Sequence, residues 1–555
     1  MKLLSRCVPV LLACAFVRVS AATYDVRSFG AKGDGQTVDT PAINQAIAAA
    51  AKAGGGTVEF PAGNYLSYTI HLQSHVTLQL DTGATIVAAE PSPDLSVGYD
   101  APEPNPVTEY YEDFGHSHWH NSLIVGENLE DIGITGPGRI FGKGLSRGAP
   151  GVRRDLLPEE RKLPAAERPN LALPKAVMEK IAAQKTGPFG YPGRDTLPAG
   201  VGNKAIALKN CRNVIFRDFT IYHGGHFGIL GTGVDNWTID NLKIDTNRDG
   251  MDIDSCQNVH VSNCSVNSPN DDGICPKSSY ALGYPRVTEN VTITNCEVSG
   301  FDEGTFLDGT RQRRAGHAFG GGPTGRIKCG TESNGGFRNI TISNCVFNYC
   351  RGLAFESVDG ALMEDIAVSN ITMRDIVNAP IFIRLGARLR GPDGTKVGTA
   401  RRIKIDNIVA HNVAAQSGIL IAGLKHNPIE DLTLSNIFID YVGGGTKEQG
   451  ERVVPEYDQE YPEPGRFGTI PAWGLWARYV KNFDVHHVEF RSAQEDLRPT
   501  VILDSVNGAT LEHAILPHAA GVPGLWAKNV TDLTVESCPG LASQADPGNV
   551  ADLKL

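Results

Sequence analysis

Three aspartates in two short segments are the residues of this chain best placed to do chemistry. Asp249 lies in NRDGMDID (247–254), and Asp271 and Asp272 lie in NDDGICPK (270–277), so Asp271 follows Asp249 by 22 residues. Carboxyls gathered together repel one another and raise at least one pKa. A fold gains nothing from that, whereas splitting a glycosidic bond needs one protonated and one ionised carboxyl around the scissile oxygen. Asp252 and Asp254 alternate along the same segment and read instead as acids of solvated turns or as calcium ligands. Lys277 closes the second segment. Further on, Arg326 and Lys328 alternate, which puts both cationic heads on one strand face. There they are placed to pair with a substrate carboxylate or to form a solvated basic edge.

Histidines supply a second set of candidates. His223 and His226 stand in YHGGHFG (222–228), and His226 is placed to reach a sugar hydroxyl. His317 lies in a glycine-rich loop. His116, His118 and His120 alternate in GHSHWHNS and read as a groove wall, with Trp119 on the opposite face, rather than as a metal site. The segment 446–475 is rich in Pro, Tyr and Glu, and its Tyr457, Tyr461 and Trp473 are placed to close over a sugar face.

These residues need a frame, and the sequence repeats one. From about residue 210 a nine-residue alternating phrase recurs: NVHVSNCSV (258–266), NVTITNCEV (290–298), NITISNCVF (339–347), with weaker copies from 213 to 516. Each phrase is a half-buried strand too short to bury itself, so stacked copies must share a core. Successive starts lie 22 to 51 residues apart, and the short intervals cluster at 22–29. That period, without helical periodicity, predicts an all-β chain wound as a right-handed parallel β-helix of about three strands per coil. Long intervals are coils carrying inserted loops. One period is one coil, so Asp249 and Asp271 are expected one above the other, about 5 Å apart. The recurring Asn at positions one and six of the phrase reads as an internal ladder satisfying turn backbones. Val259, Val261, Val291, Ile293, Ile340 and Ile342 are expected to point into one core. Residues 40–54 read as a helix capping the open N-terminal coil, and 145–200 as an inserted excursion with a short helix near 174–185. The remainder, 23–555, reads as one domain.

Residues 1–22 read as an export signal, with Lys2 and Arg6 ahead of the apolar run Val8–Val17 and Ser20-Ala21-Ala22 for cleavage. A lipoprotein box ending at Cys14 is the other reading. Both take the protein out of the cytoplasm, to the periplasm or the extracellular space. Losing the segment removes three basic and no acidic residues, so the net charge goes from −11 to −14. That balance excludes nucleic acid as the partner and requires a local basic groove for any polyanionic substrate. No run is long enough to span a membrane. Of the 11 cysteines, nine lie outside the signal, an odd number that cannot close a disulfide framework. Cys264, Cys296 and Cys345 recur at one point of the phrase and are expected to stack inside.

The paired motifs NRDGMDID and NDDGICPKS, with YDVRSFGAKGDG (24–35) and GGGTVEFPAGNY (54–65) ahead of them, resemble glycoside hydrolase family 28, the polygalacturonases and rhamnogalacturonases. The resemblance covers most of the mature chain. It implies an inverting hydrolase of galacturonic-acid-containing pectic oligo- or polysaccharide, with no cofactor and no metal. In this reading Asp271 is the general acid, and Asp249 and Asp272 hold and deprotonate the water. Apart from the resemblance, the residues themselves offer Lys277, Arg326, Lys328, His226 and His317 as substrate contacts, His317 in place of the family's missing histidine. The chain departs from the family pattern in three places. Asn247-Arg248-Asp249 stands where the family has Asn-Thr-Asp, and Thr324-Gly325-Arg326 where it has Gly-His-Gly. Ala354-Phe355-Glu356 falls where its Arg-Ile-Lys is due. Long insertions that would block a groove open at both ends predict exo or branch-specific action; the chain reads as a monomer. A calcium-dependent lyase with Lys277 or an Arg as base, and a non-catalytic carbohydrate-binding solenoid, are the competing readings of the same fold.

Overall fold

The phrase NVHVSNCSV shows how this sequence makes a coil. Val259 and Val261 turn inwards, His260 turns out, and the asparagines bend the chain. Asn258 and Asn263 sit at φ of 58° and 57°, in the left-handed region that asparagine tolerates better than most residues with side chains. The second bend splits the phrase into two strands, Gln257–Ser262 and Ser265–Asn267. A third strand, such as Asp249–Asp254, completes the coil.

The computed structural model describes residues 22–104, 111–113, 115–148, 151–183, 197–313, 322–414, 416, 418–541 and 544–555. Stacked coils form a right-handed parallel β-helix, as the repeat predicts. Val259 lies opposite Val291, which lies opposite Ile340; Val261, Ile293 and Ile342 form the neighbouring column. All six are buried. One apolar core runs from Val26 to Leu541. The thiols of Cys264, Cys296 and Cys345 interact down the stack, and every described cysteine is buried and unbridged.

The asparagine ladder exists, but on the outside. Asn290 Nδ2 donates to Asn258 Oδ1 at 2.9 Å, and Asn339 Nδ2 donates to Asn290 Oδ1 at 2.7 Å. These amides are exposed, because the left-handed bend turns the side chain out along the corner ridge. They serve the bend and each other, not the interior.

Helix Thr40–Lys52 closes the N-terminal end by burying Ile43, Ala46, Ile47 and Ala50. At the other end strand Gln544–Lys554 pairs antiparallel with Leu525–Glu536, which covers the edge that no further coil would pair. The repeat gives no sign of this reversal. Within 145–200 the described part holds the short helices Pro158–Arg161 and Lys175–Ala182. No helix among the described residues is long and apolar enough to cross a membrane.

One wall positions the site. Strands Ser122–Glu127, Lys204–Lys209, Phe227–Thr232, Asp249–Asp254 and Ile274–Lys277 stack in parallel, and loops roof their outer face. The columns make a first prediction. Ile293→Ala should cost about 2–5 kcal/mol, whereas Thr341→Ala, on the exposed face, should change stability by less than about 0.5 kcal/mol. Thermal denaturation of the two variants checks both.

Candidate active site

Register decides which aspartates meet. Met251 lies opposite Ile274, and Asp252 opposite Cys275. This wall therefore advances 23 residues between the two coils, while the neighbouring wall advances 22, Lys243 lying opposite Ser265. Asp272, not Asp271, stands above Asp249. Asp271 occupies the bend just before the strand, which corrects the expected direct stacking of Asp249 and Asp271. The three carboxylates still converge: one oxygen from each lies within 4.8 Å of the others.

Gly250, directly after Asp249, makes that approach possible. A Cβ on Gly250 would lie 2.4 Å from the Gly273 carbonyl oxygen and 2.4 Å from Val266 Cγ1. Only a residue without a side chain lets the coils close at this point.

The three carboxyls sit in different electrostatic surroundings. Asp249 is buried, and burial, then the charges of Asp271 and Asp252, push its carboxyl well above the usual range; Lys277 and Arg248 pull the other way and lose. Burial also raises Asp272, but Lys328 and Arg326 overcome it and hold the group well below that range. Arg326 Nε donates to Asp272 Oδ1 at 2.8 Å, and Lys328 Nζ contacts Oδ2. Asp271 is the outermost, its side chain 24% exposed, with Arg248 Nη2 at 2.5 Å from Oδ2.

Arg326 and Lys328 do share a face, but both are buried and turned onto Asp272. Arg326 also meets Glu463 Oε1 at 2.5 Å. Their first partners are protein carboxylates, which corrects their assignment as the groups that meet a substrate carboxylate. Lys277 is likewise buried, 2.9 Å from Glu332 Oε2 and 4.0 Å from Asp252 Oδ2. His226 reaches the cluster: Nδ1 donates to the Arg147 carbonyl at 2.7 Å and Nε2 lies 3.9 Å from Asp249 Oδ2. Burial, then Arg248, lower its pKa well below the ordinary value, so the ring is neutral. His317 lies outside the described residues.

The remaining candidates separate. Asp254 accepts from Ser279 N at 2.7 Å and Ser279 Oγ at 2.5 Å, a structural role. Asp252 is buried rather than solvated, because loops roof the wall. His116 lies 3.8 Å from Asp252, His118 Nδ1 donates to the Glu103 carbonyl, and His120 pairs with Glu127. The three rings meet different partners, and Trp119 is buried with its Nε1 donating to Thr232 Oγ1 at 3.0 Å. The 446–475 segment does arrive, through Glu463 and through Tyr461, whose hydroxyl is 3.2 Å from Thr331 Oγ1. Tyr457 packs on Phe467 and Trp473 on Tyr441 instead.

Sequence reasoning missed Glu332, Glu356, Glu463 and Arg390. Glu332 is bound by Lys277 and by Arg390 Nη2 at 3.0 Å. Glu356 is buried without a hydrogen bond from the described residues, and burial pushes it up to about 8 despite Lys328 and Arg326. The alternation of the wall strands was the available signal, since Glu356 shares a strand with Leu353 and Phe355. Glu463 and Arg390 come from loops, which carry no register.

The chain is similar to several known proteins. Residues 23–105 match the family described as rhamnogalacturonase A/epimerase, pectate lyase-like, and 199–390 match the right-handed β-helix region in two overlapping stretches. The chain is 28% identical over 263 residues to an exo-poly-α-D-galacturonosidase of Dickeya chrysanthemi, covering 45% of this chain and 41% of that one. Over 42 residues it is 67% identical to alginate lyase 7 of Azotobacter vinelandii, 8% of this chain and 5% of that one. The chain thus spans well under two thirds of these curated relatives. In solved structures it resembles an exopolygalacturonase from Thermotoga maritima, with TM-score 0.53, 17% identity and coverage of 96% and 94%. It also resembles a family 28 exopolygalacturonase from Yersinia enterocolitica, with TM-score 0.52, 18% identity and coverage of 94% and 76%. At these identities the structural likeness shows the fold. The resemblance to the polygalacturonase–rhamnogalacturonase family, read from the aspartate motifs, holds.

The opposed environments predict opposed pH effects. Asp249 keeps its proton above the ordinary 3.8, so the native state binds a proton that the unfolded chain releases. Its cost to stability appears above about pH 4 and grows as pH rises towards the raised value. Asp249→Asn should therefore stabilise the protein at pH 7, and the gain should shrink towards pH 4. Asp272 has the opposite sign: its contribution is present above 3.8 and is lost only as pH falls through the depressed value. Asp272→Asn should cost about 3–5 kcal/mol at neutral pH, since two buried cations lose their partner. Melting temperatures of both variants between pH 4 and pH 8 decide the matter.

Proposed function

We propose that this protein is an exported, inverting glycoside hydrolase that cleaves galacturonic-acid-containing pectic polysaccharide from chain ends or at branches. The observation that carries the proposal is the convergence of Asp249, Asp271 and Asp272 within 4.8 Å on a roofed wall of the β-helix. Similarity to the galacturonosidase of Dickeya chrysanthemi supports the substrate class.

Asp271, the member open to solvent, faces the leaving oxygen and gives it a proton as the C1–O bond breaks. Water attacks C1 from the opposite side and loses a proton to Asp272, which Arg326 and Lys328 keep ionised; Asp249, protonated, orients that water. Two-carboxyl inverting sites usually hold their groups about 6.5–9.5 Å apart to admit the water. This triad is tighter, so the water belongs beside the Asp249–Asp272 pair rather than between an acid and a single base. Arg248 must share or leave Asp271 for the acid to carry its proton. No cofactor enters this scheme.

Asp271→Asn should lower kcat roughly 10²–10⁴-fold. An aryl galacturonide with a good leaving group should recover part of that loss, while Asp249→Asn and Asp272→Asn should not recover. Rescue of Asp249→Asn alone would move the acid to Asp249. Product anomers read by NMR on first turnover should be inverted, and retention would sink the water-attack geometry.

A calcium-dependent lyase has one observation in its favour, since three converging carboxylates resemble a cation site. Two of the three already have protein partners, Arg248 on Asp271 and the Arg326–Lys328 pair on Asp272, and Asp249 is held neutral. Little negative charge remains for a divalent ion. Activity should survive a chelator, and the products should show no ultraviolet absorbance of a new double bond. Loss of activity on chelation, restored by calcium with unsaturated products, would establish the lyase instead.

A further inference from the structure

Beside the triad lies a cavity of about 170 Å³ that the catalytic scheme does not use. It lies between the wall and the segment 147–171: Arg147, Val152, Asp155 and Leu171 come from that segment, and His223 and Asn247 come from the coils. Ligand pockets usually span about 300–1,000 Å³, so this one suits one end of a ligand rather than a whole oligosaccharide.

Its polar lining is short of acceptors. His223 is 1% exposed, its Nδ1 is 2.8 Å from Glu303 Oε1, and its Nε2 has no partner among the described residues. Asn247 is 3% exposed; its Oδ1 accepts from Arg147 Nη1 at 3.0 Å, and its Nδ2 has no partner among the described residues. Buried donors left this way are costly unless something completes them. Burial lowers the His223 pKa, but Glu303 and then Asp155 more than offset that and raise it above the ordinary value; with Nδ1–H on Glu303, the protonated ring presents Nε2–H as a donor. The one carboxylate of the lining, Asp155, is turned to Arg147, accepting from its backbone N at 2.7 Å with Oδ1 3.6 Å from Nε. Arg154 is held by Glu160 and Glu90, and Arg161 by Glu303.

The cavity also touches the catalytic centre. The Arg147 carbonyl holds His226, which faces Asp249, and the Arg147 guanidinium holds Asn247, two residues before Asp249.

We propose that this cavity is a chain-end subsite, which takes the carboxylate of a terminal uronic acid on His223 Nε2, Asn247 Nδ2 and Arg147. A pocket of this size next to Asn247, two residues before Asp249, has room for a terminal sugar residue and not for a length of chain. The inference rests on the reading of the protein as a pectic hydrolase, and it names the part of the chain that makes such an enzyme act from one end.

Calorimetry with monomeric D-galacturonate, D-galactose and acetate on the full protein tests it. D-galacturonate should bind, and D-galactose and acetate should bind at least tenfold more weakly. His223→Gln, which replaces the cationic donor, and Val152→Phe, which fills the cavity away from the triad, should each weaken galacturonate at least tenfold. Each should also raise KM on polygalacturonate more than it lowers kcat. If His223→Gln does not fold, Val152→Phe decides alone. Unchanged galacturonate affinity in the folded variants, or acetate binding as tightly as the sugar acid, overturns the subsite. If the wild type cleaves no uronide polymer while both variants still lose galacturonate, the hydrolase reading falls and the subsite stands.

Discussion

Everything in this molecule follows from hydrogen bonding one coil onto the next at the spacing of parallel strands, about 4.8 Å. That spacing leaves no room for error between coils. Val259, Val291 and Ile340 stack because their registers coincide, and the exposed asparagines bond to one another because the same bend recurs one coil away. Gly250 is needed because the Gly273 carbonyl of the following coil lies where a Cβ would be. A single extra residue on one wall, 23 against 22, moves Asp272 over Asp249 and pushes Asp271 into the bend. The chemistry depends on that step. It lets two carboxyls be buried in a column while the third stays at the surface beside them.

Stacking also imposes an electrostatic problem that the outer face must solve. On a wall where strands repeat, an acidic residue on one coil finds its neighbours only a strand away, and the overlying loops exclude water that would screen them. The solution differs from group to group. Asp272 receives two cations, Glu332 receives Lys277 and Arg390, and Glu463 is met by Arg326 and Arg351. Asp249 and Glu356 receive too little compensation, and burial drives both towards the neutral form. A site built in this way holds protonated and ionised carboxyls side by side, which is the condition for acid–base chemistry at one pH.

What was legible in the sequence, and what was not, divides along the same line. The alternating phrase exposed the coil, the core columns and the cysteine stack, because each depends on periodicity that a single chain displays; the capping helix showed in its Thr40-Pro41 start, its alanine run and Gly54. The aspartate pair was legible because both members sit in the repeating part. Three things were hidden. The 23-residue step was hidden because counting between motifs gives 22 for Asp271 and cannot say which aspartate enters the strand. The partners of Arg326 and Lys328 were hidden because an alternating basic pair looks the same whether it faces solvent or a buried carboxylate. The outward asparagines were misread because a polar residue at a fixed place in a buried repeat suggests an inner ladder, unless the left-handed bend is known. Contacts from loops, Glu463 and Arg390 above all, have no period and leave no trace in sequence spacing.

The departures of the motifs then acquire a physical meaning. Where the family has a small hydroxyl residue between Asn and Asp, this chain has Arg248, and its guanidinium lies on Asp271. Lys328 lies opposite Ala354 of the following coil, and Glu356 stands two residues further along that strand. Two cations on one coil and an acid on the next thus face one centre. Because neighbouring coils are interchangeable platforms at one spacing, a charge transferred from one to the next still reaches the same centre from a different side. A β-helix can therefore redistribute the charges around a fixed carboxylate triad without rebuilding the wall that holds it. On such a scaffold the aspartates are the surer guide to the chemistry, and the basic residues report how this particular chain balances their charge.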